Sequence, residues 1–307
     1  MSSQSTDHSE IPKVVERGVP LPALSTDVFK ENIFLGKVVF CTGGGSGICK
    51  AITKSMMQHG ANAIIIGRNL ERLEASASEL SSSTGKKCIA AQADVRQPQQ
   101  LKEASQKAID EFGRIDFVIC GAAGNFLAPI SGLSENAFRT VIEIDTIGTF
   151  NTVKATLPYI RTTRGSYIHM TATIQYKGTP FQAHASAAKA AIDTFSSALA
   201  VEEGPRGIRS NVIAPGPILN TVGMERLTST LPGFSEKIST SIPLQRQGVT
   251  QDIANAAVFL FSDAAIWVTG QIFIVDGGAR HTMIDFLPYP GAVIDPETTK
   301  VMIAPRK

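Results

Sequence analysis

Residues 36–59 run from an apolar stretch through three consecutive glycines into a helix-forming stretch, and this order restricts the fold more than any other segment. The run GKVVFCTG at 36–43 reads as a buried strand. It passes directly into Thr42-Gly43-Gly44-Gly45-Ser46-Gly47-Ile48-Cys49. Glycines here let the backbone turn tightly and approach an anion closely. The helix over 47–59 then offers that anion its free N–H groups and the positive end of its dipole. A pyrophosphate fits such a turn, so Gly43, Gly44, Gly45, Ser46, Gly47 and Ile48 read as part of a dinucleotide site. An ordinary glycine turn is the competing reading. Strand, glycines and helix in the right order weigh against it.

The same alternation continues to about residue 276. Further strands are expected over 63–67, 88–92, 115–120, 166–170, 209–214 and 272–275. Helices are expected over 70–82, 98–112, 134–160 and 185–203. Short apolar runs alternating with amphipathic helices imply a parallel sheet covered on both faces. The expected fold is therefore α/β, a single Rossmann-type doubly wound domain of about seven parallel strands with helices on both faces. The length of 307 residues is ample for the core of one such domain, and 43% hydrophobic against 18% charged residues excludes extensive disorder.

Charge and cysteine usage exclude other classes. The net charge is +2, whereas a phosphate-backbone binder carries a stronger, clustered basic excess, so no nucleic-acid partner is expected. Cys41, Cys49, Cys88 and Cys120 form no CxxC pair, which argues against a metal site or redox motif and for a reducing compartment. No apolar run reaches the roughly 18 residues of a membrane span. Residues 1–34 lack the apolar core of a secretory signal, and Asp7, Glu10 and Glu16 argue against a mitochondrial presequence. The terminal Pro305-Arg306-Lys307 departs from an SKL-type peroxisomal address.

Cofactor choice is written after the second strand, which ends Ile66-Gly67-Arg68-Asn69. An NAD-specific site places an acid in this region for the ribose 2′-OH. Here Arg68 stands there and no acid precedes it. A guanidinium pairs with a 2′-phosphate, so NADP(H) is the expected cofactor. A solvated surface arginine is the alternative.

At these residues a resemblance enters. TGGGSGIC resembles the TGxxxGxG loop of the short-chain dehydrogenase/reductase family, with Cys49 in place of the final glycine. A small, apolar thiol still allows close helix–strand packing. The resemblance implies that Asp94 contacts the adenine; capping of the following turn is its other reading. Pro215-Gly216-Pro217-Ile218 resembles the family's turn against the nicotinamide, which adds Pro215, Gly216 and Ile218 to the cofactor site.

The family's usual proton donor is missing. Lys189 matches the family lysine, but Ala185 stands four residues earlier where the tyrosine belongs. The serine site reads Thr171-Ala172-Thr173, and the asparagine site reads Ile144-Asp145-Thr146. The run Ala122-Ala123-Gly124-Asn125-Phe126, with Asp145-Thr-x-Gly-Thr-Phe150 and His184-Ala-Ser-Ala-Ala-Lys189, closely resembles the 2,4-dienoyl-CoA reductases, and among them the peroxisomal branch. The likeness covers about residues 30–280. It divides the chain into a polar extension over 1–30, an NADP-binding reductase domain over 31–280 and a tail over 281–307.

The resemblance implies a reduction of 2,4-dienoyl-CoA by NADPH. Such a reaction needs a donor to the thioester oxygen, not an acid on a carbonyl being reduced. Asn125 is the implied donor, and Asp145 with Lys189 the implied holders of a proton-delivering water. Lys189 also binds the nicotinamide ribose. Each has a plainer reading: Asn125 as a loop hydrogen bonder, Asp145 as a paired buried acid, Lys189 as an exposed helix lysine. Tyr176 is the rival acid, with a surface role preferred, and His184 reads as a packing residue. The implied acyl-CoA contacts are Arg68, Arg96, Phe126, Ser134, Asn136 and Arg226. Leu127, Met224 and Leu227 are candidates for an apolar slot, with a plain helix face as the other reading of the last two. A homo-oligomer, dimer or tetramer, and a peroxisomal or cytoplasmic location are also implied.

Overall fold

Alternating apolar side chains along each short strand send one set to each face of a sheet. The computed structural model describes residues 23–221, 234–282 and 295. Its strands are β1 (Val38–Thr42), β2 (Asn62–Gly67), β3 (Cys88–Gln92), β4 (Phe117–Cys120), β5 (Ser166–Met170), β6 (Arg209–Pro215) and β7 (Ile272–Val275). All pair in parallel, in the order β3-β2-β1-β4-β5-β6-β7. The expected seven-stranded doubly wound sheet is what the chain forms.

Two cores result. Val39 and Cys41 of β1 and Ile65 of β2 join one cluster, while Phe40, Ile64 and Ile66 join the other. The first cluster is covered by helices α2 (Gly47–Gln58) and α3 (Leu70–Thr84), the second by α4 (Pro98–Phe112), α6 (Gly148–Thr163) and α7 (Ala183–Glu203). Between α4 and α6 lies α5 (Glu135–Ile142). Ahead of β1, the single turn α1 (Ser25–Val28) buries Ser25 against His59, whose Nε2 lies 3.0 Å from the Ser25 hydroxyl.

Two features depart from expectation. The helix expected over 134–160 is α5 and α6 joined by a π-helical turn, Glu143–Ile147. The region between β6 and β7, where a helix was weighed only around Met224 and Leu227, contains α8 (Phe234–Ser241) and α9 (Thr250–Phe261). Helix α9 buries Ile253, Ala254, Ala257, Val258 and Phe261 in the first cluster. At the start of α9 the Asp252 carboxylate accepts from Val249 N at 2.7 Å and pairs with Arg246 at 2.8 Å. After β7 the chain forms one further turn, α10 (Ala279–Thr282).

The second core also holds a histidine. His169 on β5 is fully buried, with Nε2 3.1 Å from the Ser210 hydroxyl. Desolvation pulls its pKa down to about 3. The unfolded chain would bind a proton at this group near pH 6.5, so its stabilising effect is complete above about 6.5 and is lost as pH falls toward about 3. Each pH unit in that window costs about 1.4 kcal/mol. Urea unfolding of wild type between pH 7 and 5 should therefore show a steeper loss of stability than His169→Gln. Parallel curves would remove His169 as the source.

Candidate active site

The carboxyl ends of β1, β4, β5 and β6 converge on one edge, and the loops that leave them build the site. The first is Gly43–Gly47. Gly43 has φ +72°, and a Cβ there would stand 2.7 Å from Gly121 O. The glycine loop thus presses directly on the exit of β4. Thr42 ties the two together: its hydroxyl donates to Ile119 O at 3.3 Å and accepts from Gly121 N at 3.1 Å. Cys49 fills the remaining space, since a Cβ on Gly121 would lie 2.1 Å from its Sγ. The departure from a family glycine at 49 is therefore matched by a glycine at 121. The Cys41 thiol and the Lys189 charge hold Cys49 below the usual thiol range, whereas burial pushes Cys41 up.

The π turn places Asp145. Wider π geometry interrupts the i→i−4 ladder and is common at functional sites. Asp145 is completely buried. Its Oδ1 accepts from Gly124 N at 2.7 Å, and its Oδ2 meets Lys189 Nζ at 2.9 Å. Lys189, in the second turn of α7, also donates to Met170 O at 3.1 Å. An ammonium has three donors, and of these contacts only the Met170 bond has hydrogen-bond geometry, so two donors remain for ligands. The buried acid thus fixes both the lysine and the loop that carries Asn125. Neither Gly124 N nor Met170 O could be found from residue types, because both are backbone groups.

Phe126 stacks on His184, with centroids 4.3 Å apart and planes 24° from parallel. His184 is fully buried and desolvation lowers its pKa, so it is a neutral packing partner. Tyr176 is held by α7. Its hydroxyl donates to Asp193 at 2.8 Å, beside a 2.9 Å bond from Gln175 Nε2. Burial and the Asp193 carboxylate push this phenol above the usual tyrosine range. Tyr176→Phe should keep near-normal turnover in a steady-state assay, since the bond it removes braces a loop. Loss of turnover with cofactor binding intact would make Tyr176 the acid.

A family model described as Enoyl-(Acyl carrier protein) reductase matches residues 43–280. A Saccharomyces cerevisiae protein named peroxisomal 2,4-dienoyl-CoA reductase, (3E)-enoyl-CoA-producing, is 45% identical over 278 residues, covering 89% of this chain and 94% of that one. Its Danio rerio namesake is 44% identical over 258 residues, 84% of this chain and 86% of its own. A solved short chain dehydrogenase from Bacillus anthracis superposes with a TM-score of 0.71 at 34% identity, over 83% of this chain and 99% of that one. The chain belongs to the short-chain dehydrogenase/reductase family, among its 2,4-dienoyl-CoA reductases.

The family binds a nicotinamide dinucleotide, and the residues here fit one. Helix α2 starts at Gly47 with no side-chain cap on its first N–H groups, and the space where a Gly47 Cβ would stand is open. A pyrophosphate is the anion such an uncapped end accepts. Arg68 is exposed at the end of β2, and its charge adds to the hydrogen bond from Arg96 that holds Asp94 below the usual carboxylate range. Gly216 leaves β6 against Asp276, and Ile218 is buried beside Gly248.

Other expected site residues are placed differently from one another. Asp94 and Arg96, assigned to separate ligands, form an ion pair through two guanidinium nitrogens, with NH2 2.5 Å from Oδ2. Asp94 Oδ1 also accepts from Arg96 N at 3.0 Å, so the capping role is present. Ser134 caps α5, accepting from Ala137 N at 3.2 Å, and Asn136 is exposed on the same helix. Arg226, Met224 and Leu227 lie outside the described residues.

Proposed function

We propose that the chain reduces 2,4-dienoyl-CoA to 3-enoyl-CoA with NADPH, in the β-oxidation of unsaturated fatty acids. The observation that carries this reading is the buried Asp145–Lys189 pair beneath the Asn125 loop, with Ala185 where a proton-donating tyrosine would stand. A ketone reductase needs an acid at its carbonyl, and this site has none at that position. Among the relatives, the two proteins described above carry the 2,4-dienoyl-CoA reductase name.

When bound, NADPH supplies the hydride for the far end of the conjugated system. Negative charge then moves to the thioester oxygen, where the Asn125 amide donates to it. Lys189 holds the nicotinamide ribose with one of its two remaining donors and, with the other and with Asp145, a water that protonates the α-carbon and regains its proton from solvent. Protonation there leaves the product double bond at C3. Asp94 and Arg68 line the adenosine end, and Arg68, Arg96, Phe126, Ser134, Asn136 and Arg226 receive the acyl-CoA. The peroxisomal names of the relatives support a peroxisomal setting, and assembly as a homo-oligomer is part of the same reading.

NADPH oxidation with 2,4-hexadienoyl-CoA and 2,4-decadienoyl-CoA, against a panel of ketones, tests the reading. Turnover confined to ketones, or tight NADPH binding with no turnover at all, would refute it. Cofactor choice rests on Arg68. Arg68→Ala should weaken NADPH about 10- to 100-fold in a binding titration, because a charge-assisted contact to the 2′-phosphate is lost. NADH should change little. Equal losses for both cofactors would remove the assignment.

A further inference from the structure

A second cavity lies at the other end of the sheet. It has a volume of about 620 Å³, well within the range of ligand pockets. Its floor crosses three strands in register. Phe117 of β4 is paired with Ser166 of β5, which is paired with Arg209 of β6. Side chains of paired residues share a face, so the line runs from an aromatic ring through a hydroxyl to a guanidinium. All three lie at the amino ends of their strands. Across a five-residue strand this is about 13 Å from the edge that holds Lys189 and the glycine loop.

Each part of this line has unused binding capacity. Phe117 packs edge-on against Phe34, with centroids 5.3 Å apart, and tilted against Phe261 at 4.8 Å, giving an aromatic base. The Ser166 hydroxyl is buried and has no hydrogen-bond partner among the described residues. Buried hydroxyls without partners are rare in folded proteins. Arg209 donates to Val268 O at 3.2 Å, and no carboxylate lies within 4 Å of it among the described residues. Arg164 lies across Gly207 on the same side, its Cδ 3.6 Å from where a Cβ would stand. At the rim Ile266 is 73% and Trp267 97% exposed.

The charge balance selects the ligand class. The lining carries Lys37, Arg164 and Arg209 against Asp116 and Asp263. Asp116 is already bridged by Lys37 at 3.3 Å and Arg114 at 2.6 Å. The lining itself sums to one positive charge, which a single carboxylate neutralises. A planar carboxylate also matches the guanidinium fork.

We propose that this cavity is a second ligand site, which takes an amphipathic carboxylate with its head group on Arg209 and the Ser166 hydroxyl and its apolar body between the Phe117 base and the Trp267 rim. Nothing in the reductase reaction requires it, so it stands independently of the chemistry at the opposite edge.

Trp267 is the chain's one tryptophan and reports directly on the rim. The test is a fluorescence titration of the full chain with decanoate below its micelle concentration. A saturable change in Trp267 emission is expected, with decanol and decyl phosphate binding at least several-fold more weakly. Arg209→Ala should weaken decanoate at least tenfold while leaving NADPH binding unchanged. Ser166→Ala, which deletes one hydroxyl, should weaken it a few-fold and serves if Arg209→Ala no longer binds NADPH. Equal binding of decanol, an affinity unchanged in these variants, no saturable signal, or displacement of decanoate by NADPH would each overturn the proposal.

Discussion

Asp145→Asn should cut turnover by several orders of magnitude while the chain still folds and binds NADPH. Asparagine keeps an oxygen for Gly124 N, so the Asn125 loop retains its anchor at 2.7 Å. What it loses is the negative charge 2.9 Å from Lys189 Nζ. The electrostatic role is thereby separated from the positional one. Asp145→Ala removes both. Each variant leaves a buried ammonium without its counter-ion, and breaking such a pair costs about 3–5 kcal/mol, so both should unfold earlier in a thermal melt, Asp145→Ala the earlier because it also loses the loop anchor. Lys189→Ala should be as inactive as Asp145→Asn and should additionally weaken NADPH. The double variant should be little worse than either single one, because groups that act as a unit are non-additive. Single-turnover measurements with dienoyl-CoA decide the matter. Independent, multiplicative losses would mean that the two residues do not hold one water.

Asn125→Ala should lower kcat about 10²- to 10³-fold, the usual effect of removing one donor to a developing oxyanion. NADPH affinity should be nearly unchanged, and KM for the thioester should shift much less than kcat. The reason is that charge reaches the oxygen only as the reaction proceeds, so the amide discriminates transition state from ground state. Asn125 sits one residue after Gly124, whose N–H is bonded to Asp145, and one before Phe126, whose ring is stacked on His184. Both neighbours are held, so the amide is placed by its flanks. A variant with normal kcat would take Asn125 out of the mechanism.

The sheet and the glycine loop were legible because both are written in periodicity and in residue types with strong backbone consequences. Helix α9 carried the same kind of signal: of its buried residues, 253, 254, 257, 258 and 261 recur at helical spacing, with Leu260 beside them. No element was assigned to it in the sequence nonetheless. The active pair was legible only through resemblance. Asp145 and Lys189 are far apart in sequence, and no spacing rule joins them. Their supports, Gly124 N and Met170 O, are main-chain atoms that every residue type offers. Asp94 and Arg96 show the converse. Each suited a different ligand on paper, yet two residues apart they satisfy one another.

The π turn over Glu143–Ile147 makes chain length itself a catalytic variable. A π turn holds one residue more than the α-helical path it interrupts. Shortening that segment by a single residue would let α5 run into α6 as ordinary helix, with every later side chain rotated by about 100°. Asp145 would then leave the line to Lys189, while the buried surface of α6 would turn toward solvent. Substitutions across this segment change one group at a time, whereas a deletion dismantles the site and part of the core together. Sequences that share this chemistry are thus expected to keep the count of residues between Ser134 and Arg164 fixed, even where their identities differ.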